Sequence, residues 1–249
     1  MISRAERGLA AGLAFDTAMH TLDAMGARLI VRVDAPLLVS APRQKDPAHA
    51  RMSGYVGARL RRAGWQTMTE VEVGGDRSRG WIDVLAFEPK SRILLVIELK
   101  TEIHDLGQIE RSLGWHEREA WAAARRSGWR PSALRGWLLL LASESNDARI
   151  AENRISFDTG FPLRSRHLMA ILEGTTRSVA DGRGVAMVDP RSRRRTWCRP
   201  LRIDGRWTRS PYEDYRDFVR RSLAAGPLGR RPTRRAVKRP GRDQRGVVD

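Results

Sequence analysis

Three ionisable residues sit where a chain normally places apolar ones. In the stretch RGWIDVLAFEPKSRILLVIELK, Asp83 falls in one strand-like run, and Glu98 and Lys100 fall in the next. A charge inside a sheet is costly without a partner, so the economical reading is that these three share one. Two carboxylates can bind a divalent cation through oxygen ligands, leaving positions for water and phosphate. If EPKS closes the hairpin so that Phe87 faces Arg92, Asp83 falls opposite Val96. Glu98 is then diagonal to Asp83 on the same face, about 7–8 Å away at the backbone. Lys100, two residues beyond Glu98, projects from that face too. Leu85, Phe87, Leu94 and Val96 share the trio's side, and Ile82, Val84, Leu95, Ile97 and Leu99 point away. Such a strand pair is central, with one end opening into a cleft. A one-residue slip of register would carry Asp83 to the other face.

The neighbouring elements must hold this hairpin. From Pro47 a helix is expected, with Met52, Tyr55, Val56 and Leu60 as its apolar stripe and Gly64 ending it. Trp65 to Val73 alternates as a strand, placing Met68, Glu70 and Glu72 on one face and Val71 and Val73 on the other. Strands follow near Trp81–Phe87 and Ile93–Thr101. Gln108 to Arg126 is an amphipathic helix with Ile109, Leu113, His116, Ala120 and Ala124 along one side. GWLLLLAS is then a strand buried on both faces. Helix, three strands, helix, strand is an α/β order, giving a mixed sheet flanked by helices.

Residues 48–143 form this core. Residues 1–47 add a helix (Ser3–Met25, stopped at Gly26) and a strand (Ala27–Val33), expected to pack on it. Residues 144–225 form a small α+β extension: helices at Asn146–Asn153, Ser165–Leu172 and Pro211–Leu223, and a strand pair Gly184–Val188 with Thr196–Ile203. Residues 226–249 lack a hydrophobic pattern and read as a disordered basic tail.

Over 249 residues, 46 Lys and Arg stand against 29 Asp and Glu, a net charge of +17 that attracts polyanions. Nucleic acid is the first partner to consider, DNA ahead of RNA, and an acidic membrane surface the second; a basic surface that merely aids solubility is the bland alternative. Arg77 and Arg79, just before the motif, are candidates for phosphate contacts, as are Arg193, Arg194 and Arg195 of RSRRR. Trp81 is placed to stack on a base, and Gln108 to touch a phosphate or simply to start its helix. The single cysteine, Cys198, excludes an intrachain disulfide and a cysteine zinc cluster. The five histidines show no ligand spacing, so His104 and His116 read as surface or partly buried helix residues. No apolar run approaches the roughly 20 residues that cross a bilayer, so no membrane role is expected and the cytoplasm is the default. The oligomeric state stays open, a homodimer included.

The sequence resembles the PD-(D/E)XK nuclease superfamily, whose motif is an acidic residue on one strand followed by Glu-x-Lys on the next. Asp83 in GWIDVLAF and Glu98-Leu99-Lys100 in VIELK match it, and the element order over 48–143 fits the restriction-endonuclease-like core. The resemblance implies that Asp83 and Glu98, with the Leu99 carbonyl, hold Mg²⁺, with Mn²⁺ as a substitute. Lys100 would orient or deprotonate the attacking water and stabilise phosphorane charge. Many members add a carboxylate from an earlier element. No acidic residue follows Asp46 on the first helix, so Glu70 is the best replacement and Glu72 the second. The phrases GWQTMTEVEVGG, LLVIELKTEIHDLG and WAAARRSGWRP are also similar to uncharacterised bacterial proteins, many of which carry a helix-turn-helix module before this core. Residues 3–33 resemble only the end of that module, implying that it was lost or that the true start lies upstream. Two functions remain open: a Mg²⁺-dependent endodeoxyribonuclease, and a DNA-binding or regulatory protein that keeps the fold with little or no cleavage.

Overall fold

The computed structural model describes residues 15–26, 46–75, 78–174 and 181–224. The chain divides into two units, Met1–Gln44 and Lys45–Asp249. In the first, helix α1 (Phe15–Ala24) ends in a turn at Gly26, whose φ of 70° suits a residue without a Cβ. The expected strand Ala27–Val33 and the tail from 226 lie outside the described residues.

The second unit opens with α2 (Pro47–Arg62). Asp46 caps it by accepting from the Ala48 amide at 2.9 Å, and Pro47 occupies its first turn. Strands β1 (Gln66–Gly75), β2 (Ser78–Glu88) and β3 (Ile93–Lys100) form an antiparallel meander. Helix α3 (Leu106–Arg126), capped by Asp105, crosses over to β4 (Ala133–Leu141), which runs parallel to β3. Helices α4 (Glu144–Glu152), α5 (Arg154–Gly160) and α6 (Ser165–Leu172) precede β5 (Gly184–Val188) and a two-residue β6 (Cys198–Arg199). A 3₁₀ turn at Arg202–Asp204 and helix α7 (Tyr215–Ala224) follow. The sheet order is β1-β2-β3-β4-β5-β6, so residues 144–224 extend the same sheet as the first four strands. The expected pairing of Gly184–Val188 with Thr196–Ile203 is present but reduced to Met187–Arg199 and Val188–Cys198.

Two apolar layers cover the two faces. Met52, Val56 and Leu60 of α2, Leu168 of α6 and Phe218 of α7 pack on one face, against Val84, Leu95, Ile97 and Leu99. Ile109, Leu113, Ala120 and Ala124 of α3 pack on the other, against Leu85, Leu94, Val96 and Leu138. The close approach of α3 requires Gly80: a Cβ there would lie 2.2 Å from the Trp115 ring. Among the described residues no helix is long and apolar enough to cross a membrane.

The hairpin register differs from the sequence expectation by two residues. Phe87 pairs with Leu94 and Leu85 with Val96, so Asp83 stands across from Glu98 itself rather than diagonal to it. The cause is the loop. Arg92 takes a left-handed φ of 56°, and the Glu88 carboxylate accepts from the amides of Lys90 and Ser91, so the turn spans Pro89–Arg92. An even shift keeps the facing of every β3 residue.

A second difference is a slip of alternation. Ile82 and Leu85 both join the α3 layer, while Val84 and Ala86 join the α2 layer, so the pleat is interrupted at Asp83. On β1, Met68, Val71 and Val73 all face the α3 layer, and the interruption falls at Glu70, which has a φ of 51°. The ladder register steps from Thr69–Val84 to Val71–Ile82, which places Glu70 and Asp83 across from each other. Strict alternation along β1 and β2 therefore does not hold.

Candidate active site

Glu98 is the deepest member of the cluster, 4% exposed near the end of β3. Its Oε1 accepts from Lys100 Nζ at 2.6 Å, and its Oε2 lies 3.0 Å from Nδ1 of His116. Burial alone would raise its carboxyl pKa. The His116 hydrogen bond and the Lys100 charge outweigh that and hold the pKa below the usual glutamate value. His116 comes from the buried stripe of α3, where the 3.6-residue period stacks it with Leu113 and Ala120. Glu98 and Lys100 thus share a face, as two-residue spacing demands.

Asp83 leaves that face. Its Oδ2 accepts from the Leu99 amide at 2.7 Å, and its Oδ1 lies 3.2 Å from Nε2 of His49. His49 belongs to α2, on the side of the sheet opposite α3. The hydrogen bond to Asp83 raises the His49 pKa, against burial and the Lys100 charge, both of which lower it. The expectation of one shared face for the trio is corrected accordingly: Asp83 contacts α2, Glu98 contacts α3, and the two residues stand across from each other on neighbouring strands at the sheet's end. In an extended strand a residue's N–H and C=O point the same way, so the Leu99 carbonyl is also turned toward β2.

The cluster opens to solvent on one side. Lys100 is 35% exposed, His49 30% and Asp83 16%. Asn146 fixes the chain just beyond Lys100. It is 1% exposed, its side-chain oxygen accepts from the Ile103 amide at 3.1 Å, and its Nδ2 donates to the carbonyls of Thr101 and Leu141, each at 2.9 Å. This clamp ties the exit of β3 to the end of β4.

Among the described residues no group of three or more His, Cys, Asp or Glu is arranged to hold a metal ion. The donor set is two carboxylates, with the Leu99 carbonyl beside them. These hard oxygens suit an oxygen-seeking dication such as Mg²⁺. The same four carboxylate oxygens are aligned by the Leu99 amide, His49, Lys100 and His116, so the pair is held in place by its own protein partners.

The other residues singled out from the sequence lie at varying removes. Glu70 is exposed on β1, across from Asp83. Glu72 pairs instead with Arg79 at 2.8 Å, an exposed cross-strand ion pair. The expectation that Met68 lies on the face opposite Val71 and Val73 fails at the Glu70 interruption, since all three pack on the α3 layer. Trp81 is 37% exposed opposite Glu72, and Arg77 lies outside the described residues. Gln108 sits in the first turn of α3, its amide donating to the Asp105 cap. Arg193, Arg194 and Arg195 are exposed between β5 and β6.

Two site residues were missed. His116 carries a signal, a polar residue on an otherwise apolar stripe, but the sequence reads it as a surface or partly buried helix residue, and it is 6% exposed. His49 carried none beyond its place in the first turn of a helix. Compared with family models, with curated proteins and with solved structures, the chain matches none.

Proposed function

We propose that this chain is a metal-dependent endodeoxyribonuclease that hydrolyses phosphodiester bonds at the Asp83–Glu98–Lys100 cluster, on a restriction-endonuclease-like core. The observation that carries the reading is Glu98: a buried carboxylate bound to a half-exposed lysine, across the sheet from a second carboxylate, at the end of a strand. The antiparallel β1–β3 meander with a helical crossover to a parallel β4 supports the fold assignment.

Asp83, Glu98 and the Leu99 carbonyl would hold Mg²⁺ or Mn²⁺, with Glu70 a further carboxylate. When bound, the ion would polarise a phosphoryl oxygen and favour ionisation of water. The chain's own groups do the rest. Lys100 Nζ, held by Glu98, is the open cation that can meet a phosphate oxygen and offset charge developing on it. His49 Nε2, 3.2 Å from Asp83 Oδ1, helps orient that carboxylate, and the same contact raises the His49 pKa. His116 fixes Glu98 from within the core. The left-handed backbone at Glu70 belongs to the class of strained residues that gather at functional sites.

Purified protein should nick or linearise plasmid DNA with Mg²⁺ or Mn²⁺, and chelator should stop it. Matched RNA should be cut more slowly. Plasmid and single-stranded DNA both left intact in a metal series, while still bound, would reject the reading. One observation favours the second reading, a nuclease-fold DNA-binding or regulatory protein: every carboxylate oxygen of the pair already has a protein donor. Under it, Asp83→Ala would leave DNA binding unchanged and metal would have no effect.

A further inference from the structure

The segment after β5 is a ridge of arginines with a cavity on either side. Arg191 and Arg193 line a cavity of about 640 Å³ together with Arg51, Arg59 and Arg62 of α2. Arg194, Arg195, Arg199 and Arg206 line one of about 410 Å³. Ser192 lines both, and neither lining includes a carboxylate. The ridge is pinned to α2, since the Ser192 carbonyl accepts from Arg59 Nη2 at 2.7 Å and from the Tyr55 hydroxyl at 3.2 Å.

Such a gathering of like charge costs stability unless an anion relieves it. The Arg199 pKa is lowered first by burial and then by Arg206, with Arg194 adding to the effect. The Nε atoms of Arg51 and Arg199 are buried with no hydrogen-bond partner among the described residues. Arg206 is committed to Asp147 and Ser210, Arg195 lies 3.7 Å from the Glu173 carboxylate, and Arg51, Arg59 and Arg199 each donate to one backbone carbonyl, those of Ser222, Ser192 and Arg209.

Trp207 stands beside the second cavity. It is 99% exposed, and both its chain neighbours, Arg206 and Thr208, line that cavity. The other tryptophans of this unit are buried or partly covered, except Trp81 at 37%. A bare indole gains nothing for the fold where it is. Beside concave arginine surfaces it offers a flat π-face, which a nucleobase can cover and an acidic peptide backbone cannot. In a duplex the base faces are already stacked on one another, so a side chain cannot reach them.

We propose that the arginine ridge and Trp207 form a binding site for single-stranded nucleic acid, with phosphates in the two cavities and an unstacked base on Trp207. The α2 side alone, from Arg51 to Arg62, extends about 16 Å, the length of roughly five nucleotides at the rise of a stacked strand. The proposal rests on the nucleic-acid reading of the function, and it places strand binding on residues other than the Asp83–Glu98–Lys100 cluster.

The test is fluorescence anisotropy on the full chain with EDTA present. Three labelled probes of equal length are compared: an oligothymidylate, its abasic counterpart and a duplex. Trp207→Ala should weaken oligothymidylate binding by about 5- to 100-fold and leave the abasic strand unchanged. Arg193→Ala with Arg194→Ala should weaken both strands and reduce the salt slope by about 1–2. Circular dichroism and an unchanged Tm check that these exposed replacements leave the fold intact. The proposal is overturned if Trp207→Ala leaves oligothymidylate binding unaltered, if it weakens the abasic strand equally, or if the duplex binds as tightly as the single strand. Since chelator suppresses cleavage, failure here would leave the hydrolytic reading standing, and failure of cleavage would leave this site standing.

Discussion

Two carboxylates lie almost equally deep, Glu98 at 4% and Asp147 at 2% exposure, yet the fold treats them differently. Asp147 meets the guanidinium of Arg206 and the Ser210 hydroxyl, and the Arg206 side chain is itself only 5% exposed. The charges are sealed together between α4 and the segment after β6. Glu98 also has two partners, but one of them, Lys100, is 35% exposed, and a second carboxylate stands across the sheet. Burial of a carboxylate therefore does not by itself set Glu98 apart. Asp217, 2% exposed, also pairs with cations that reach solvent, Arg220 and Arg221. What Glu98 adds is a second carboxylate across the neighbouring strand.

The contrast can be broken by substitution. Asp147→Ala strands Arg206 without its carboxylate and should cost about 3–5 kcal/mol, read as a lower urea midpoint, while cleavage per folded molecule stays at the wild-type rate. Asn146→Ala removes three hydrogen bonds from buried backbone groups and should cost about 2–4 kcal/mol. Because Asn146 fixes the chain after Lys100, cleavage should fall as well. His116→Ala leaves Glu98 with Lys100 alone; a loss of about 1–3 kcal/mol is expected, with a larger effect on cleavage than Asp147→Ala at matched folded fraction. Arg79→Ala breaks only the exposed pair with Glu72 and should change stability by less than about 1 kcal/mol. A large loss there would mean that surface and buried pairs are not distinguished as argued.

Much of the frame was legible in the sequence because its signals are local. The stripe of α3, the continuous apolar run of β4 and the boundaries of α6 and β5 follow from periodicity, and Glu98 with Lys100 follows from two-residue spacing. What escaped were features that depend on chain segments meeting. The hairpin register turned on the Glu88 side chain capping its own loop and on a left-handed Arg92. The facing of Asp83 turned on a pleat interruption shared with Glu70, and no alternation rule anticipates that. His49 reaches Asp83 only because α2 packs on that face of the sheet, and Trp207 declares itself only through an exposure the sequence does not display.

The central claim is that Lys100 is the open, working cation of the buried pair. The direct measurement is the cleavage rate of Lys100→Ala on plasmid DNA with Mg²⁺, beside its urea unfolding curve. A fall of at least about 100-fold in cleavage per folded molecule, beside a stability loss of about 1–3 kcal/mol from leaving Glu98 with His116 alone, is the predicted result. Cleavage at the wild-type rate by folded Lys100→Ala protein would contradict it.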